Sequence, residues 1–497
     1  MKDNITVAVI DFGSHSIKAA LAEKYSDGRY LIKYHDQEPS EGCVVRGKIH
    51  NLTETAQKVR EVLDRLERKA GRKIDRVHAA VGGQSLQSYS HVVEQVFDDP
   101  HEITQEDIDL LQQQVDDFAH EKYMVLAEVS PTYFVNGSYT RNPVGVQALN
   151  LKVEYQLILA DSRLSDNIDL VLQDKLGLEV MQLLMSPIVL ADRFLTEEQK
   201  RIGCALVDMG AACTTVCVYR RGALDRLRVI PLGSQNITND LTWMHISPSE
   251  AERVKVEKAS LTADAKDTQA PIEVKAADMV TPKHISRLEV NQYVEARARE
   301  IIDNIKAVCT HGRSDVSLPG GVVLTGAGSK LRGIGALLSR VMEVHVEHVT
   351  SLVSSDRPNE YYILQPEWHV VYSMYPYATN DITKPLKVEQ DETTEEEQEP
   401  VQPFYPEDQL EDDSFMGVKS PEEGQTKALF SEEELSEQEQ IKVAPPKSVP
   451  AAVDRSPKKK RKPINLMERG KNLFDRSLEK LTGIMPSDDD EDSYDRD

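Results

Sequence analysis

The sequence predicts an α/β fold in which one strand-rich unit is built twice. Three observations predict it. Strand-like and helix-like patterns alternate from the first residues to about residue 383. Residues 5–35 and the stretch that begins at Cys204 share one order: apolar run, Asp-x-Gly, hydroxyl-rich turn, second strand, turn, third strand. Apolar residues make up 40% of the 497, enough for a globular core, so disorder does not describe the whole chain.

In order, "ITVAVID" reads as a buried strand, and "IKAALAE" and "YLIKYHD" as two more. "NLTETAQKVREVLDRLERKAG" has a helical period and stops at Gly71, a C-cap. "RVHAAVGG" returns to strand. "ITQEDIDLLQQQVDDFAHEK" is a helix with Thr104 as N-cap and Asp107 three residues on, a capping-box start. "YMVLAEVSPTYFVNG" and "LNLKVEYQLILAD" are strands, "RLSDNIDLVLQDKLGL" a helix, and "LADRFLTEEQKRIG" one further helix. "CALVDMGAACTTVCVYRRGALDRLRVIPLG" then repeats strand, turn, strand, turn, strand. "SPSEAERVKVEKASL" and "EVNQYVEARAREIIDNIKAVC" are helices, and "GGVVLTGAGSKLRGIGALLSRVM" is strand, Gly-rich turn, helix.

The formal charge of −24 is unevenly placed. Residues 389–440 carry a net −17, residues 441–485 a net +8 and residues 486–497 a net −6, which leaves −9 for residues 1–388. The body is therefore only mildly acidic and gives no signal for nucleic acid. Cys43, Cys204, Cys213, Cys217 and Cys309 form no CxxC pair, so neither a disulfide framework nor a cysteine metal site is expected. The first residues carry no charged segment followed by a long apolar run, so no secretory leader is expected. No run of eighteen apolar residues occurs, so any membrane contact is expected to be peripheral.

Three stretches carry the chemistry: "VIDFGSHSIK" (9–18), "VDMGAACTTVCV" (207–218) and "VLTGAGSKLRGI" (323–334). In each, an apolar strand delivers a turn of Gly, Ser or Thr. Glycine lets backbone N–H groups approach an anion, and hydroxyls add donors. Asp11 and Asp208 precede the first two turns. A carboxylate beside a phosphate is useful only with a divalent cation between them, so the two are candidate ligands of Mg²⁺ or its waters, facing each other across a cleft. Lys18 is placed to neutralise phosphate. Alone, an Asp-x-Gly after a strand is an ordinary turn. Two such units ahead of "LTGAGSKL" follow the order of the actin/Hsp70/sugar-kinase fold, which the chain resembles: a duplicated ribonuclease H-like fold with two lobes around a nucleotide cleft.

The resemblance narrows to the FtsA family of bacterial cell-division proteins. Residues 101–160 are similar to its inserted subdomain, with an acidic helix, then "YFVNG" (133–137), "NPVG" (142–145) and a long strand. "RGKIHNLTETAQKVREVL" (46–63), "GALDRLRVIPLGSQNITNDL" (222–241) and "SEAERVKVEK" (249–258) also match. The resemblance implies subdomain 1A over 1–83, the inserted subdomain 1C over 84–160, and 1A again over 161–200. It implies subdomain 2A over 201–235, 2B over 236–295, and 2A with a return to 1A over 296–383. An acidic disordered linker (384–455), a basic amphipathic helix (456–485) and an acidic tail (486–497) follow.

The resemblance implies that ATP and Mg²⁺ bind between the lobes and that the protein polymerises like actin. It also implies that the protein ties FtsZ to the cytoplasmic face of the bacterial membrane at the septum and recruits other divisome proteins. Asp11, Gly13, Ser14 and Lys18 fall on its first phosphate motif; Asp208, Gly210, Thr214 and Thr215 on the second; Gly326 and Gly328 on the adenosine motif. Glu252 and Lys255 fall where the superfamily reaches toward the adenosine; read alone, they are a solvated helix face. Arg287, Asn291 and Arg297 fall near the place that holds the FtsZ C-terminal peptide; read alone, their helix simply packs. The second motif departs from the family's Asp-x-Gly-Gly-Gly-Thr-Thr-Asp: Ala211 and Ala212 replace glycines, and Thr215 replaces an acid. If those alanines need positive φ, each costs about 1 kcal/mol. Nucleotide binding with at most slow hydrolysis is expected. His15 is expected to be a surface donor, and Cys213 and Cys217 to be core.

In the tail, Met467, Phe474, Leu478, Leu481 and Met485 share one helical face, with Arg469, Lys471, Arg476 and Lys480 toward the other side. With Lys458, Lys459, Lys460, Arg461 and Lys462 before it, this segment suits anionic lipid; the alternative is a helix packed on its own protein. The bacterial resemblance argues against a nuclear address. Two rival functions are a pilus-assembly adaptor of the same fold and a small-molecule kinase of the sugar-kinase type. The long linker and terminal helix speak against the first; the lack of a substrate-binding cluster speaks against the second.

Overall fold

Strands β1 (Ile5–Phe12) and β2 (Ser16–Lys24) are buried along most of their length, as their unbroken apolar runs require. β3 (Tyr30–Pro39) is more exposed because it is an edge. Helix α1 (Leu52–Ala70) starts where the Asn51 side chain accepts the Glu54 N–H. It stops at Gly71, left-handed at φ 64°, whose N–H donates to the Glu67 carbonyl. The structure, a computed structural model, describes residues 5–378 except 26–28, 117, 121, 263–269, 279–280, 311–315, 351 and 358–359, together with 383–385. The acidic linker beyond residue 385, the basic helix and the acidic tail lie outside the described residues.

β4 (Arg76–Val81) runs parallel to β1. The chain then builds an inserted layer from β5 (Gln87–Glu102), α2 (Gln105–Asp116), β6 (Met124–Val135), β7 (Ser138–Thr140) and β8 (Gln147–Ala160). α2 begins with the expected box: the Asp107 N–H donates to Thr104 Oγ1 at 3.3 Å, and the Asp107 carboxylate accepts the Thr104 N–H at 2.8 Å. Asn136 and Gly137, both at positive φ, turn β6 into β7. Helix α3 (Arg163–Asp169) leads back to β9 (Glu179–Met185), parallel to β4, and completes the sheet β9-β4-β1-β2-β3.

Helices α4 (Ser186–Phe194) and α5 (Glu197–Ile202) carry the chain onward. The sequence predicts one helix here; the structure has two, because Leu195 is extended and Thr196 opens α5 with its own capping box to Gln199. Then come β10 (Cys204–Met209), β11 (Thr214–Arg220), β12 (Ala223–Ile230), α6 (Ser234–Leu241) and α7 (Pro248–Glu257). A hairpin of β13 (Pro271–Lys275) and β14 (Pro282–Ser286), helix α8 (Arg287–Thr310), β15 (Val322–Thr325), α9 (Ile334–Met342) and β16 (Val346–His348) follow.

The order β16-β15-β10-β11-β12 reproduces β9-β4-β1-β2-β3 strand for strand. In both, the first strand of the unit pairs antiparallel with the second and parallel with a later one. The duplication read from Asp-x-Gly is thus a duplication of sheet topology. Period-two alternation divides the second sheet's residues between two cores. Cys204, Leu206 and Cys217 join the core shared with the first lobe, while Ala205, Val207 and Val216 pack with residues of α8 and α9. The insertion leaves the first lobe but pairs with the second: Gln87 of β5 lies beside Arg228 of β12, and Ser88 Oγ accepts the Leu227 N–H at 2.8 Å. Among the described residues no helix is long and apolar enough to cross a membrane.

His78 of β4 is 1% exposed, and neither ring nitrogen reaches a hydrogen-bond partner among the described residues. Burial pushes its imidazole down to about 4, opposed in part by Gln182, its cross-strand neighbour. Its folded value lies below the ordinary 6.5, so its contribution to stability is complete above pH 6.5 and is lost as pH falls through about 4. His78→Leu is expected to remove up to about 3 kcal/mol of acid sensitivity between those limits, measured as the slope of urea-melt stability against pH. An unchanged slope would remove His78 from the acid response.

Candidate functional site

Asp208 follows Cys204 and Leu206 on the face of β10 that turns to the first lobe, and Asp11 holds the equivalent place near the end of β1. Cross-strand pairing sets Lys18 beside Asp11 and Thr215 beside Asp208. The two units therefore present matched positions to the cleft, a lysine in one and a threonine in the other. Lys18 Nζ lies 3.6 Å from Asp11 Oδ2, and both side chains are largely buried. Desolvation raises the Asp11 carboxyl above its usual range, against the pull of Lys18. Burial, then the facing Asp11 carboxylate, push Asp208 up to about 6.

Two acids held together in a partly desolvated cleft are what a divalent cation relieves. No group of three or more His, Cys, Asp or Glu side chains gathers to hold a metal among the described residues. The pair therefore fits a cation whose other ligands are water and phosphate. The turns fit the phosphate. The N–H groups of Gly13, Ser14, Ala211 and Ala212 make no backbone hydrogen bond among the described residues. A Cβ on Gly13 would meet the Ser16 carbonyl at 2.7 Å, and one on Gly210 the Cys213 carbonyl at 3.0 Å, so glycine suits both turns.

The alanines of the second turn carry no strain. Neither Ala211 nor Ala212 is among the positive-φ residues, so the expected cost of replacing glycine does not arise. The glycine that this turn does require is Gly233, where a Cβ would lie 2.4 Å from the Ala211 carbonyl oxygen. Gly326, at φ 86°, packs against Asp208 itself, and Gly328 packs against Met209 and Ser234.

The expected hydroxyls divide. Thr215 shares the face of Asp208, whereas Thr214 is fully buried and its hydroxyl donates to the Leu232 carbonyl at 2.8 Å. Thr214 therefore ties the turn to the end of the third strand rather than facing the cleft. Ser14 Oγ accepts the Gly47 N–H at 3.2 Å and keeps its own proton free to donate. His15 is exposed, as expected; Cys217 is core, but Cys213 is only half-buried, in the turn.

Lys255 is not on a solvated face, while Glu252 keeps a partly exposed side chain. Lys255 is 7% exposed; its ammonium lies 2.7 Å from Glu252, 2.8 Å from Thr238 Oγ1 and 3.2 Å from the Ser234 carbonyl. The pair braces α7 on α6 beside Ser234, which itself touches the Gly328 turn. Ser234 and Thr238 are not legible as site residues in the sequence, since "SQNITNDL" carries only Ile237 and Leu241 as an apolar signal for α6. On α8, Arg297 is held in a forked pair with Asp240 at 2.6 and 3.0 Å, so its guanidinium is already occupied. Arg287 Nε and Asn291 Nδ2 are buried donors with no partner among the described residues. The tail residues Lys458 to Lys462, Met467, Phe474, Leu478, Leu481 and Met485 lie outside the described residues.

Residues 205–372 match the family model described as Cell division protein FtsA. The chain is 29% identical over 342 residues to the cell division protein FtsA of Porphyromonas gingivalis, covering 68% of this chain and 71% of that one. It is 29% identical over 354 residues to that of Bacillus subtilis, covering 70% and 79%. Among solved structures it is similar to a PilM-PilN type IV pilus biogenesis complex, at 16% identity and TM-score 0.49, covering 74% of this chain and 97% of that one. MreB5 of Spiroplasma citri bound to ADP is similar at 12% identity and TM-score 0.42, covering 74% and 95%. With the duplicated sheets and the facing acids on a mixed α/β fold, the chain is thus similar, over about 70% of its length, to cell division proteins named FtsA.

Proposed function

We propose that the chain binds ATP with Mg²⁺ in the cleft, polymerises as actin does, and tethers FtsZ filaments to the cytoplasmic membrane through a C-terminal amphipathic helix, recruiting other division proteins. The observation that carries the nucleotide half is the opposed pair Asp11 and Asp208, each raised by desolvation and set beside turns whose N–H groups make no backbone hydrogen bond among the described residues. Asp11 and Asp208 would hold the cation's water shell, Lys18 the phosphate charge, and Gly326 and Gly328 the adenosine side. The cation supplies neutralisation of the phosphates. Thr215, beside Asp208 where the family's motif carries an acid, offers no general base, which supports slow turnover at most.

The tether half rests on two features. Arg287, half-buried at the start of α8, carries a cation that suits an acidic peptide, with Asn291 one helical turn on. The sequence of residues 456–485 pairs an apolar face with a cationic flank, which suits a peripheral membrane anchor. Each Lys or Arg near an anionic leaflet contributes about 1 kcal/mol, so reversible attachment is within reach. Co-sedimentation of purified FtsZ with anionic liposomes tests the tether. The full chain is expected to pellet FtsZ at least about tenfold more than a truncation before residue 456. Equal pelleting with both, or none with either, would rule the tether out.

A further inference from the structure

We propose that Arg46 binds the terminal phosphate of the nucleotide from the first lobe and so makes the cleft prefer a triphosphate to a diphosphate. The proposal rests on the nucleotide-cleft reading and adds to it a residue and a specificity.

Arg46 and Gly47 form the two-residue turn between Val44–Val45 and Lys48–Ile49, with φ of 52° and 77°. Such a turn favours Asn-Gly, and an arginine in left-handed backbone is a strained choice that needs a reason. The turn is fixed on three sides. A Cβ on Gly47 would lie 2.0 Å from the Gly82 carbonyl oxygen, so the chain passes directly over the end of β4. The Gln84 N–H donates to the Arg46 carbonyl at 2.9 Å. The Gly47 N–H donates to Ser14 Oγ at 3.2 Å, which sets Arg46 one residue from a contact with the first phosphate turn.

The Arg46 side chain is half-buried, and its guanidinium donates only to Gln84 Oε1, at 3.3 Å; no carboxylate pairs with it among the described residues. A cation this well placed and this lightly engaged is suited to an incoming anion. The geometric link to the site is Ser14, which belongs to the first phosphate turn and is bonded to the residue after Arg46. The Cys213 thiol of the second turn, pushed up to about 11 by burial, is pulled back by Arg46, which agrees with a guanidinium acting across the cleft. Gly326 and Gly328 pack on the Asp208–Met209 end of that second turn. A nucleotide with its adenosine at Gly328 and its phosphates between the two turns brings its last phosphate toward Arg46.

Because Arg46 is left-handed, Arg46→Gly removes the guanidinium without disturbing the turn. The full chain is titrated with ATP and with ADP, each with Mg²⁺, in competition with a labelled nucleotide. The variant is expected to lose about tenfold in ATP affinity and less than about twofold in ADP affinity, with an unchanged or higher Tm. Arg46→Lys, a charge without the fork, is expected to fall between. Equal losses for ATP and ADP, or no loss for ATP, would overturn the role of Arg46. Wild-type protein that binds neither nucleotide would instead overturn the cleft reading, and this proposal with it.

Discussion

Asp208→Asn is expected to stabilise the nucleotide-free protein while it weakens Mg-ATP binding by at least about tenfold. The two effects have one origin. The Asp208 carboxyl is raised to about 6 by burial and by Asp11, so its ionised form is disfavoured in the fold. A raised value means that the contribution to stability is complete below the ordinary carboxylate pKa and is lost as pH rises through about 6. At neutral pH the folded protein therefore holds a carboxylate that it would hold more easily protonated. An amide of the same shape removes that cost, which is about 1–2 kcal/mol after allowing for the residue's partial exposure. The same amide does not balance a cation. Urea melts without nucleotide and isothermal titration with Mg-ATP read the two signs separately. A variant that loses stability and keeps its affinity would remove Asp208 from the site.

Gly326→Val is expected to cost about 3 kcal/mol or more and to abolish nucleotide binding. Gly326 has φ 86°, and a Cβ there would lie 2.2 Å from Asp208 Oδ1 and 2.5 Å from the Met209 carbonyl oxygen. A carboxylate can swing aside, but the Met209 carbonyl belongs to a central strand and is fixed. A control separates crowding from backbone strain. Gly222 has the same φ of 86° with nothing within 4 Å of its Cβ position. Gly222→Ala should therefore cost only the left-handed penalty of about 1 kcal/mol. Equal losses for Gly326→Ala and Gly222→Ala, measured by urea melts, would show that crowding against Asp208 and Met209 plays no part.

Much of the site is legible in the sequence because its signals are local. An apolar strand, an Asp and a Gly-bearing turn are contiguous in the chain, and their recurrence announces the matching sheets. Caps are legible for the same reason: Thr104 with Asp107, and Gly71 after a helical period. What escapes depends on distant parts of the chain meeting. Arg46 reaches the cleft only because Gly47 is pinned over Gly82 and bonded to Ser14. Ser234 joins the site only through its contact with Gly328, and Thr214 leaves it only because Leu232 takes its hydroxyl proton. The strand β5 escapes for another reason. Its polar residues are half in water, so its alternation is too weak to stand out without its neighbours.

The seam between β5 and β12 has a consequence for experiments on the insertion. Excising residues 84–160 would not simply subtract a module. It would strip β12 of its neighbour and leave the Leu227 N–H without the Ser88 hydroxyl, turning an interior strand into a raw edge. Such an edge invites the strands of other molecules. Clumping of an excised protein would therefore report an uncovered sheet and say nothing about which partners the insertion serves.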